Sequence, residues 1–235
     1  MRDGASNIIG WIKNSFIDFP GTVSTVLFFS GCNLRCPYCH NPGIVLNSLP
    51  EEISFGHIRT FLEKRKGTIE GVVLSGGEPT MHPGLLDIVK EIRALGYLTK
   101  LDTNGLRPGV IRALAPDYLA LDVKTLPSNY PALLKSLYAD TPERLASSIE
   151  IARLMEDNAE VRITGAPGII DRMVIIELAE LLKGVRNVFL QPMQTKAELL
   201  DPAMRELGPI PMEELEAYRK ILLRHVDNCT IRGAA

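Results

Sequence analysis

Three of the chain's four cysteines fall in one short stretch, Cys32-Asn33-Leu34-Arg35-Cys36-Pro37-Tyr38-Cys39. Thiolates hold iron–sulfur clusters, and a cubane cluster usually takes four. A C-x3-C-x2-C loop can wrap three of its corners. The fourth iron then keeps an open position, where a substrate or cofactor can bind directly, as at open catalytic metal sites. Two other chemistries compete. Cys36-Pro37-Tyr38-Cys39 alone matches a thioredoxin-like redox pair. Three thiolates together with His40 or Cys229 could instead hold a structural zinc. Neither accounts for Cys32 in combination with the polar motifs farther along.

Those motifs are Gly76-Gly77-Glu78-Pro79, Asp102-Thr103-Asn104-Gly105, Asp122-Val123-Lys124, Arg162 and Gln191-Pro192. Glycines at 76 and 77 let backbone approach a ligand closely, although a plain turn has the same composition. Asn104-Gly105 is also a loop signal. Asp122 and Lys124, two apart on a strand, point to one side, either toward a ligand or as a solvated pair. Arg162, on an otherwise apolar strand, can take a carboxylate in bidentate fashion or make a structural ion pair. His40, His82, Cys229, Trp11, Phe16 and Phe19 read as structural or packing residues.

The elements that must carry these motifs alternate. Strands are expected at 22–29, 71–75, 97–102, 118–123, 160–164 and 185–190. Helices are expected from a Ser54 cap to Lys64, along Leu85, Ile88, Val89, Ile92 and Leu95 with Gly96 as stop, and from Pro108. Further helices start at Thr141 (through Leu145, Ile149, Ile151 and Leu154), run from an Asp171 cap to Leu182, and span 212–226. Strand–helix alternation implies a parallel sheet covered by helices. Six such units make an α/β fold, an open (partial) parallel (β/α)6 barrel. A closed eight-unit barrel needs about 250 residues. Each motif falls at or near the C-terminal end of its strand, the face where parallel α/β enzymes place their sites.

The 235 residues suit a single domain: an N-terminal segment 1–21, a core of about 22–192 and a C-terminal helical segment of about 193–235. A formal charge of −2 leaves no general footprint for nucleic acid or an anionic membrane. No apolar run reaches the 18 or so residues of a membrane span. The start of the chain, Arg2 included, has no secretory pattern, so a cytoplasmic location is expected. Few cysteines, tightly grouped, argue against a disulfide scaffold.

With these residues in hand, the chain resembles the radical S-adenosylmethionine (SAM) superfamily over nearly its whole length. The stretch Ile17-Asp18-Phe19-Pro20-Gly21 and the run Val26-Leu27-Phe28-Phe29-Ser30-Gly31-Cys32 through Cys39-His40-Asn41-Pro42 resemble the activating enzymes of glycyl-radical enzymes. The likeness is greatest to the anaerobic ribonucleoside-triphosphate reductase activating proteins. It extends to the pyruvate formate-lyase activating enzymes, which tend to have a histidine where Gln194 stands here.

The resemblance implies a [4Fe–4S] cluster on Cys32, Cys36 and Cys39, with SAM bound through its amino and carboxylate groups at the open iron. Reductive cleavage then gives methionine and a 5′-deoxyadenosyl radical, which in activases takes a hydrogen atom from a backbone glycine of a partner enzyme. It implies that Gly76, Gly77 and Glu78 meet the SAM amino group, and that Tyr38 lies beside the adenine. Asp102 and Asn104 would bond SAM or help hold a monovalent cation. Asp122 and Lys124 would contact ribose or cation, and Arg162 the carboxylate. No side chain is needed as catalytic acid or base. The implied partners are an anaerobic ribonucleotide reductase and a flavodoxin- or ferredoxin-like electron donor. A radical SAM enzyme modifying a small molecule or peptide is the alternative, and a non-enzymatic zinc or electron-transfer module a third.

Overall fold

The computed structural model describes residues 7–48, 52–135 and 139–233. The first residues of the chain, read above for a secretory pattern, lie outside them. The chain divides into two compact units interleaved in sequence: Met1–Cys32 with Gly43–Thr103 and Gly109–Leu119, and Asn33–Pro42 with Asn104–Pro108 and Ala120–Ala235.

The first unit holds β1 (Ile8–Ser15), β2 (Ser24–Phe29), α1 (Pro42–Leu46), α2 (Phe55–Lys64), β3 (Gly71–Gly76), α3 (Leu85–Ala94), β4 (Leu98–Thr103) and most of α4 (Pro108–Leu114). β2, β3 and β4 are parallel neighbours, and their register sets Val26, Val73 and Lys100 in one row. Val26 and Val73 pack with Phe19 and Tyr118 in a buried cluster. The helices seal the sheet by the stripes expected of them: Ile58 and Leu62 on α2, and Leu85, Ile88, Val89 and Ile92 on α3, are all buried. Ser54 caps α2 through Gly56 N, and Gly96 follows α3 at φ 91°.

The second unit begins within β5 (Tyr118–Asp122) and continues through α5 (Thr141–Leu154), β6 (Ala159–Gly165), α6 (Arg172–Leu181), β7 (Asn187–Pro192), α7 (Ala203–Leu207), α8 (Met212–Leu222) and β8 (Asn228–Ile231). β6, β7 and β8 are parallel. Asp171 caps α6 by accepting from Val174 N.

The six expected strands are therefore β2 to β7, and the α/β class stands. Four points differ. The five-residue helices α1 and α7 were not foreseen. β1, antiparallel to β2, and the four-residue β8 were not foreseen, because each owes its extended form to pairing with a neighbour rather than to a pattern of its own. Phe16 is not a packing residue: it sits in the loop after β1 and is 77% exposed. On α5 the buried stripe is Leu145, Ser148, Ile149 and Ala152, which leaves Leu154 on the outer face. Trp11 and Phe19 do pack, Trp11 edge-on to Phe61 with its indole donating to Thr25 Oγ1, and Phe19 against Tyr118. Cys229, on β8, is buried as expected.

Candidate active site

In the first unit the Gly-Gly-Glu turn after β3 is bonded to the residues that lead into Cys32. Gly77 N donates to Phe29 O at 2.8 Å and Glu78 N to Gly31 O at 2.9 Å. A Cβ on Gly77 would lie 1.9 Å from Gly31 O, and one on Gly76, at φ 114°, 2.4 Å from Phe29 N. These glycines are needed for a close approach to the chain's own backbone, which fixes the approach to Cys32.

Glu78 is 1% exposed. Its Oε1 accepts from Thr80 N (3.1 Å), Thr80 Oγ1 (2.5 Å) and Thr103 Oγ1 (2.7 Å). These donors compensate the desolvation of a buried carboxylate. At the end of β4, Asp102 Oδ2 accepts from Ser75 Oγ at 2.9 Å, and Oδ1 lies 2.7 Å from the ammonium of Lys100. Ser75, Thr103 and Lys100 escaped the sequence reading. The signal was there for Lys100: it sits two residues before Asp102 on a strand, hence on the same face. His82 Nδ1 accepts from Gly84 N, and its ring is edge-on to Phe29.

In the second unit the cysteine loop is pinned from two sides. Arg35 N donates to Leu133 O and Lys135 N to Asn33 O; Leu200 N donates to Cys39 O and Asp201 N to Pro37 O. Asn104, almost wholly buried, donates to Asn33 Oδ1 at 2.8 Å and accepts from Leu106 N. It therefore ties one loop to another, a role its Asn-Gly context did not announce.

Arg162 Nε lies 2.7 Å from Asp122 Oδ1, and Lys124 Nζ lies 3.1 Å from Asp122 Oδ2. Burial alone would raise the Asp122 carboxyl, but Arg162 and then Lys124 outweigh it and hold it down at about 2. Lys124 N donates to the buried Tyr130 hydroxyl. The Cys36 thiol belongs to the same neighbourhood. Burial pushes it up while the Lys124 ammonium pulls the other way. The Tyr38 hydroxyl is buried beside that thiol and hydrogen-bonds with it, and burial pushes the phenol well above its ordinary range. The structure thus brings Cys36, Tyr38, Asp122, Lys124 and Arg162 together.

None of the four cysteines is in a disulfide. Among the described residues no three His, Cys, Asp or Glu side chains are already gathered as a metal group. The fit to an iron–sulfur cluster rests on the donor chemistry: three cysteines outside any disulfide within eight residues, on a loop anchored by backbone bonds.

The radical SAM superfamily pattern matches residues 26–182, which span the motifs from Cys32 to Arg162. The chain belongs to the radical SAM superfamily. It is 32% identical to a Methanocaldococcus jannaschii protein that bears the name of a glycyl-radical enzyme activating enzyme, over 96% of this chain and 95% of that one. It is 30% identical to the pyruvate formate-lyase-activating enzyme of Clostridium pasteurianum, over 88% and 94%. These full-length likenesses place it among the glycyl-radical enzyme activating enzymes. A 7-carboxy-7-deazaguanine synthase of Halobacterium salinarum is 28% identical over 88% of this chain and 82% of that one. The radical SAM fold is shared with Streptococcus suis SuiB bound to its precursor peptide SuiA: TM-score 0.62 at 17% identity, over 88% of this chain and 48% of that one.

Proposed function

We propose that this radical SAM protein is an activase that places a glycyl radical on a partner enzyme, an anaerobic ribonucleoside-triphosphate reductase. The observation that carries the reading is the end-to-end similarity to an activating enzyme, in a chain whose motif residues are buried or half-buried and whose charged members are paired.

Cys32, Cys36 and Cys39 would hold the cluster; burial raises the Cys36 thiol and the Lys124 ammonium offsets only part of that, so the metal would supply the rest of the thiolate's stabilisation. When bound, the cluster and SAM supply the electron and the 5′-deoxyadenosyl radical. The chain's residues bind and orient. The Gly76-Gly77-Glu78 turn presents backbone and a buried carboxylate to the SAM ammonium. Arg162 and Lys124, held by Asp122, offer positive charge, and Tyr38 offers an aromatic wall. Asp102 holds positive charge at its end of β4, and Asn104 keeps the loops in place. In this reading residues 1–235 act as a single radical SAM domain in the cytoplasm. A flavodoxin- or ferredoxin-like protein supplies the electron, and neither nucleic acid nor membrane takes part. Among the described residues no helix is long and apolar enough to cross a membrane.

The test is anaerobic reconstitution with iron and sulfide, reduction, and addition of SAM, reading 5′-deoxyadenosine by chromatography with Cys36→Ala as control. A glycyl radical signal on a candidate reductase, by electron paramagnetic resonance, establishes the partner. The similarity to a deazaguanine synthase favours a second reading, a small-molecule radical SAM enzyme. SAM cleavage with no glycyl radical on any tested reductase would support that reading.

A further inference from the structure

Lys100 stands out among the described charged residues. It is 3% exposed, sits mid-strand on β4, and its ammonium lies 2.7 Å from Asp102 Oδ1. The row it occupies is otherwise apolar, with Val26 and Val73 beside it. The Tyr118 ring faces the ammonium at 5.9 Å, within cation–π range. Ser75 Oγ donates to the other carboxylate oxygen, so Asp102 is held at both ends.

A lysine in such a row loses solvation and side-chain freedom, and an apolar residue would fill the space at lower cost. Its presence is explained if Asp102 must remain charged. A carboxylate at a strand end beside an anionic ligand group needs a counter-charge, because like charges in a low-dielectric site repel strongly. That counter-charge can be recruited from solution as a monovalent metal ion or carried by the chain.

The structure assigns it to the chain: Lys100 is the built-in counter-cation of Asp102, a positioning residue that takes the place of a monovalent metal ion, so SAM binding needs neither sodium nor potassium. The assignment rests on the activase reading only for the identity of the ligand. A pair that merely held the fold together would also weaken on loss of Lys100, but no dissolved cation would restore function.

The experiment uses the reconstituted full-length protein, wild type and Lys100→Met, in choline and in potassium buffer. SAM affinity is measured by equilibrium dialysis and thallium(I) uptake by thallium nuclear magnetic resonance. For the wild type we expect SAM affinity to agree within about twofold between the two buffers, and no thallium broadening. For Lys100→Met we expect SAM affinity to fall about tenfold in choline, the scale of one partly screened charge interaction, and to recover in potassium. Thallium should broaden with this variant, and Lys100→Met/Asp102→Asn, lacking both charges, should show neither recovery in potassium nor thallium broadening.

A wild type that takes up thallium or needs potassium overturns the assignment, whether or not the variants fold. So does a folded Lys100→Met that matches wild type in choline, or that loses SAM affinity with no recovery in potassium. If the wild type binds no SAM in either buffer, the activase reading fails, and the thallium comparison still decides the role of Lys100.

Discussion

Arg162 on β6 and Asp122 on β5 form an ion pair, Nε to Oδ1 at 2.7 Å, with side chains only 15% and 22% exposed. That pair, with Lys124 on the other carboxylate oxygen, turns a buried acid into a fixed anion. Arg162→Met leaves Asp122 with Lys124 alone, and breaking such a pair costs about 3 kcal/mol. Because Asp122 is depressed to about 2, its contribution to stability is present above the ordinary carboxyl range and lost as pH falls through about 2. In Arg162→Met the Asp122 carboxyl should titrate higher, and the acid limb of the stability curve should move to higher pH. Urea unfolding across pH, with carboxyl carbon resonances for the titration, checks both. An unchanged acid limb would refute the account.

Thr103 donates to the Glu78 carboxylate from the end of β4. Thr103→Val keeps the shape and removes the donor, so Glu78 keeps the two donors of Thr80. Stability should fall by about 1–2 kcal/mol. SAM affinity should fall with it, because the carboxylate loses a tether. Denaturant unfolding and equilibrium dialysis give the two values. A variant as stable as wild type would mean that Thr103 merely fills space.

Gly77→Ala drives a methyl toward Gly31 O, 1.9 Å away. The turn and the approach to Cys32 must separate, at about 1–3 kcal/mol, and iron retained after reconstitution should drop. Gly109→Ala, in a helix with nothing within 4 Å of the added carbon, is the control. It should be neutral or stabilise by up to about 1 kcal/mol. Iron content per chain and thermal melts separate the two cases, and equal behaviour of the two variants would count against the account.

Cys36→Ala should abolish the visible absorbance of the reconstituted cluster. Cys229→Ala should leave iron and sulfide content unchanged, because Cys229 is a buried packing residue on β8. Its burial pushes the thiol up to about 12, far from the thiolate that binds metal. Loss of iron in Cys229→Ala would revive zinc or four-ligand coordination.

Much of this was legible in the residues. The C-x3-C-x2-C loop, the placement of Gly76-Gly77-Glu78, Asp102 and Asp122 at strand ends, and Arg162 within its strand follow from local spacing. So do the six central strands and the capped helices, because hydrophobic period, caps and glycine stops act within a few residues of themselves. β1 and β8 were not legible: β1 has no strict apolar–polar alternation and is bulged where it pairs with β2, and no period inside the four residues of β8 reports a strand.

The sequence by itself determined which chemistry this chain can support: three thiols on one loop, a glycine turn, and charged groups at strand ends. Tertiary structure decided what each group is bonded to. Gly76 and Gly77 serve a backbone-to-backbone approach, Asn104 ties loops, Thr103 and Thr80 hold Glu78, and Lys100 reaches Asp102. Leu200 and Asp201, far along the chain, pin the cysteine loop through backbone bonds. The physical reason is that residue type and spacing set donors, acceptors and periodicity locally, whereas the partner of a buried polar group is chosen by which distant segment packs against it.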